Sequence, residues 1–83
     1  MDALMYPIAT EKAINMIERN NVVTYMVDIR ANKTQIKKEF ESVFKVKVER
    51  INTEIEPRNR KRAYIKLNGQ FKASDIALKL KLV

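Results

Sequence analysis

The chain has 83 residues, 46% of them hydrophobic, with 17 Lys and Arg against 10 Asp and Glu and a formal charge of +7. That length supports one domain, taken as 1–83, with a small core, and that composition argues against disorder. The absence of Cys and His excludes a disulfide framework, thiolate chemistry and the usual zinc ligands, so neither a metal nor a cofactor is expected.

Thr10 can cap a helix running to about Arg19, with Ala13, Ile14 and Ile17 on its buried stripe. Asn20-Asn21 suits the exit, because Asn tolerates positive φ. Val22 to Arg30 alternates as a strand, with Val23, Tyr25, Val27 and Ile29 on one face. Asn32 with Gln35 three residues later is a capping-box signature. Ile36, Phe40, Val43 and Phe44 follow at helical spacing and are expected to pack on Val27, Ile29, Ile51, Ala63 and Ile65. A second strand covers Val46 to Glu56. Val46 and Val48 are in one phase and Ile51, Thr53 and Ile55 in the other, which predicts a bulge near Glu49-Arg50. Pro57-Arg58-Asn59 makes a turn. Arg60 to Leu67 is a third strand, with Ala63, Ile65 and Leu67 inward and Arg62, Tyr64 and Lys66 outward. Asn68-Gly69 closes it, and Ala73 to about Leu80 forms the last helix.

The order α-β-α-β-β-α predicts an α+β fold. Its core is a ferredoxin-like split β-α-β layer, a three-stranded antiparallel sheet in spatial order 1-3-2 with helices on one face and an additional N-terminal helix. The other face is left for a partner.

The charge is unevenly placed. Residues 1–56 carry nine basic and nine acidic side chains, whereas residues 57–83 carry eight basic and one acidic. A basic run is often only a solvated face. This one surrounds a turn and interleaves with Tyr64, the pattern of an edge that binds phosphates and stacks on a base or sugar. Packing of Tyr64 against Met26 across the strands is the competing reading. The fold order also resembles that of the RNA recognition motif, but RKRAYIKL (60–67) lacks the Gly and the second aromatic of that motif's signature.

Catalysis finds little support. Nucleophile-plus-base arrangements usually need His, Cys or a buried Lys, and one Gly cannot build a Gly-rich phosphate loop. Glu54 and Glu56 share a strand face and could pair as acid and base, yet their basic surroundings read better as surface carboxylates. No apolar run approaches the roughly 20 residues that cross a membrane. The opening stretch MDALMYPIATEK has neither a basic leader nor a long apolar segment, so no signal peptide is expected.

Three stretches, YPIATEKA (6–13), ANKTQIKKEFESVFKVKVERINT (31–53) and RKRAYIKL (60–67), together resemble the archaeal form of the universal large-ribosomal-subunit protein twenty-three family. The resemblance implies a cytoplasmic, ribosome-bound protein. It would hold large-subunit ribosomal RNA beside the nascent-chain exit tunnel, among neighbouring large-subunit ribosomal proteins, and would be monomeric apart from the ribosome and not inserted in a membrane. The expected RNA-binding residues are Asn52, Arg58, Arg60, Lys61, Arg62, Tyr64 and Lys66. The family's docking carboxylate for exit-site factors, the signal recognition particle among them, falls in Thr10-Glu11-Lys12-Ala13, so Glu11 and Lys12 are the docking candidates. Glu11 also suits the first turn of a helix on electrostatic grounds alone. Bacterial members carry a long basic extension between strands two and three, where this chain has only Glu56 to Arg60. A ferredoxin-like protein-interaction module and a free-standing RNA binder are the alternatives. An isologous dimer would bring two +7 segments together, which disfavours the first.

Overall fold

The computed structural model describes residues 3–81. Seven elements follow in order: β1 (Leu4–Pro7), α1 (Glu11–Asn20), β2 (Val22–Val27), α2 (Lys33–Phe44), β3 (Val48–Glu56), β4 (Arg60–Leu67) and α3 (Ala73–Lys79). They form one four-stranded sheet, ordered β1-β2-β4-β3, in which every neighbouring pair is antiparallel.

The three expected strands hold their expected order, but the expected count of three is corrected by β1, which adds an edge strand beside β2. Its four residues, LMYP, are too few for alternation to be legible, and Pro7 is tolerated because it closes an edge strand. Tertiary bonds hold β1 in place. The Glu39 carboxylate on α2 accepts from the backbone N–H of Ala3 at 3.1 Å and of Leu4 at 2.5 Å.

The helix ends follow local chemistry. Thr10 Oγ1 accepts from Ala13 N at 3.2 Å, and Asn21 ends α1 at φ 58°. Asn32 and Gln35 complete a reciprocal capping box, with bonds of 2.8 and 3.0 Å. The register shift between Val48 and Arg50 is the predicted bulge. Strand β2 stops at Val27 rather than Arg30, because Asp28 Oδ1 accepts from Arg30 N at 2.8 Å and turns the chain.

Directly opposed residues of an antiparallel pair share a face. On the face toward α2 and α3, Val23, Tyr25, Val27, Ile51, Ala63, Ile65 and Leu67 cluster with Ile36, Phe40, Phe44, Ala73, Ile76 and Ala77. The rings of Phe40 and Phe44 lie 4.6 Å apart, and Tyr25 meets both edge-on. These rings fill the space beside the sheet, so Val43, expected inward, is 59% exposed. Ile55, on the edge strand β3, is 66% exposed, and Ile29 is half-buried in the turn after β2.

Helix α1, the additional N-terminal helix, narrows the sheet face left for a partner. Its Ile17 joins the main core, but its Ala13 packs with Ile8 and Met26 in a second cluster. Met26 points away from α2, as do Val22 and Thr24, and all six residues of β2 are buried. A strand covered on both faces needs a second cover, and α1 supplies it over β2. The β3–β4 half of that face stays open.

Candidate nucleic-acid interface

Alternation along β3 and β4 decides which side chains the open face presents. Arg50 pairs with Lys66, Asn52 with Tyr64, Glu54 with Arg62 and Glu56 with Arg60. Four of the expected RNA-binding residues therefore stand on β4 or directly beside it on this face with Tyr64: Asn52, Arg60, Arg62 and Lys66. Arg58 sits in the hairpin turn, where it and Asn59 adopt φ 72° and 59°.

Lys61 departs from the group. It pairs with Val27 on one side and Ile55 on the other, which places it on the helix face. Its Nζ donates to the carbonyl of Ala31 at 2.6 Å, tying β4 to the turn before α2. Strict alternation puts Lys61 opposite Arg60 and Arg62.

Arg62 is committed within the face. Its guanidinium pairs with Glu56. The neighbouring Tyr64 hydroxyl, then the Glu56 and Glu54 carboxylates, hold Arg62 above its ordinary pKa against the opposing effect of burial. Arg50, Arg58 and Arg60 make no ion pair among the described residues. The neighbour opposite Tyr64 on β2 is Thr24, not Met26, which lies opposite Arg62.

Where α1 overhangs the sheet, a groove of about 450 Å³ opens, lined by Lys12, Met16, Asn20, Val22, Arg50, Asn52, Glu54, Tyr64 and Lys66. Lys66 Nζ spans it to donate to the Asn20 carbonyl at 3.1 Å. Arg50, Met16 and Asn20 were not among the sequence candidates. Two periodicities point to them: Arg50 is in phase with Asn52 on β3, and Lys12, Met16 and Asn20 follow at i, i+4, i+8 on one helix face. The two docking candidates diverge. Both are exposed, but Lys12 lines the groove and Glu11, in the first turn of α1, does not.

Among the described residues no helix is long and apolar enough to cross a membrane. The family model for ribosomal protein L23 matches residues 2–79. A large ribosomal subunit protein uL23 of Methanothermobacter thermautotrophicus is 46% identical over 77 residues, covering 93% of this chain and 90% of its own length. Proteins of the same name from Trypanosoma brucei brucei and Dictyostelium discoideum are 46% and 42% identical over 80 residues, 96% of this chain. The chain spans about half the length of those two relatives, 49% and 47% respectively.

Proposed function

Because the chain belongs to the ribosomal protein L23 family, we propose that it is a structural constituent of the large ribosomal subunit in the cytoplasm. It holds large-subunit ribosomal RNA through the open face of β3 and β4, beside the exit of the nascent-chain tunnel and among neighbouring ribosomal proteins. The observation that carries this reading is the row of Arg50, Arg60 and Lys66 around Tyr64 and Asn52 on a half-sheet no helix covers.

The physics is counterion release. Each Lys or Arg that neutralises a phosphate frees condensed ions, so affinity is large at low salt and falls steeply as salt rises. Arg58, projecting from the hairpin turn, extends the basic row. Arg62 stands beside Tyr64 in an ion pair with Glu56, and Lys61 braces β4 against the turn before α2.

About 100° around α1 from Lys12, Glu11 offers a carboxylate for factors that meet the emerging chain, the signal recognition particle among them. The TEKA match to the family and the exposure of Glu11 support this. Lys12, one position on, belongs by its geometry to the RNA groove. The docking and RNA surfaces are then two sides of one helix.

The test is co-sedimentation of tagged chain with large subunits through a high-salt wash. The wild type is expected to remain with the subunit, and a variant reversing Arg50, Arg60 and Lys66 is expected to stay in the supernatant. Retention of that variant at wild-type levels would refute the assignment of this face.

A further inference from the structure

We propose that the groove between α1 and the open sheet face receives one unstacked nucleotide of the bound RNA, with its base lying on Tyr64. This rests on the RNA-binding reading above and specifies what enters the groove. Phosphate contacts need only a charged surface. A cleft of about 450 Å³ lies instead in the size range of small-molecule sites.

Its lining separates the two halves of a nucleotide. Lys12, Arg50 and Lys66 supply cations that suit a phosphate at the rim. Glu54 also lines the groove, and a carboxylate there repels a phosphate pushed inside but tolerates a neutral base. Tyr64 offers an aromatic face, Met16 and Val22 offer apolar wall, and the Asn52 amide directly across from Tyr64 carries both a donor and acceptors for a base edge.

The floor has hydrogen-bonding capacity unused by the protein. Thr24 Oγ1 and Arg62 Nε are buried without a partner. Both line a void of about 10 Å³ that shares Lys12, Met16 and Tyr64 with the groove. That void has room for one water, through which a seated base edge reaches both groups.

The experiment uses the full chain with two probes of equal phosphate count, a mixed-sequence single-stranded oligoribonucleotide and a blunt RNA duplex. The chain has three Tyr and no Trp, so stacking on Tyr64 reads out as quenching of tyrosine fluorescence. The single strand is expected to quench. Tyr64→Leu should weaken single-strand binding by roughly 5- to 100-fold, the range for losing one base–aromatic stack, and leave duplex binding unchanged. Tyr64→Phe should retain single-strand binding, and its melting curve serves as the folding reference. If Tyr64→Leu folds and binds both probes as the wild type does, with undiminished salt dependence, the groove assignment is wrong while the RNA-binding face stands. If neither probe binds the wild type even at low salt, the RNA-binding reading itself falls, and this inference with it.

Discussion

Asn21 caps a helix more than fifty positions away: its Oδ1 accepts from the backbone N–H of Ala73, the first residue of α3, at 2.6 Å. Lys72, at the N-cap of α3, makes no side-chain cap bond. The same Asn21 side chain donates to Phe71 O at 2.8 Å and Leu67 O at 3.4 Å, while its backbone sits at φ 58° to end α1. One residue therefore closes α1, anchors the loop after β4 and opens α3. Asn21→Gly keeps the left-handed backbone accessible and removes all three side-chain bonds. It should cost about 1–3 kcal/mol in urea denaturation. A loss under about 0.5 kcal/mol would show that water replaces these bonds without penalty.

Phe40 is fully buried between Tyr25 and Phe44. Phe40→Ala should cost about 3–5 kcal/mol, enough to unfold a domain of this size outright. A loss below about 1 kcal/mol would place Phe40 outside the core.

Much of this architecture is legible in the sequence because its signals are local. Thr10, Asn32 with Gln35 and Asn21 announce helix ends through short-range hydrogen bonds. The phase slip between Val48 and Ile51 announces the bulge, and alternation from Arg62 to Lys66 announces the outward face. What is not legible depends on tertiary placement. Strand β1 exists because β2 and Glu39 offer its backbone partners, relations that span 18 to 23 residues to β2 and 35 or 36 to Glu39. The seat of α1 over Met26 and Thr24 follows from β1, so the groove formed by Met16, Asn20 and Arg50 is hidden until β1 is known. Strand phase alone sets Lys61 apart from Arg60 and Arg62, on the helix face.

Arg58 and Asn59 hold left-handed backbone in the hairpin turn, a conformation Asn tolerates and Arg disfavours. Arg58→Gly should therefore raise stability by about 0.5–1 kcal/mol in chemical denaturation while weakening ribosomal RNA binding through loss of one cation. A variant both less stable and equally able to bind RNA would refute a binding role for the strained arginine.

Glu11 and Lys12 are adjacent in sequence and both exposed, yet about 100° apart around α1, and only Lys12 lines the groove. Opposite phenotypes are expected. Glu11→Lys should weaken signal recognition particle binding to assembled subunits by a few-fold, in keeping with the modest strength of exposed charge pairs, and spare RNA binding. Lys12→Glu should weaken RNA binding and leave assembled subunits competent for the factor. Surface plasmon resonance on purified subunits and filter binding on ribosomal RNA read the two effects separately. An exchange of the two phenotypes would reverse the assignment of the two sides of the helix.

The central claim is that the open face of β3 and β4 neutralises ribosomal RNA phosphates. The most direct measurement is the slope of log affinity against log salt for large-subunit ribosomal RNA, compared between the wild type and an Arg60→Gln, Lys66→Gln double variant. Each lost phosphate contact should flatten the slope by roughly 0.7–0.9, so the variant should lose about 1.5 in slope along with its affinity. An unchanged slope in a folded variant would show that the RNA lies against another face of the protein.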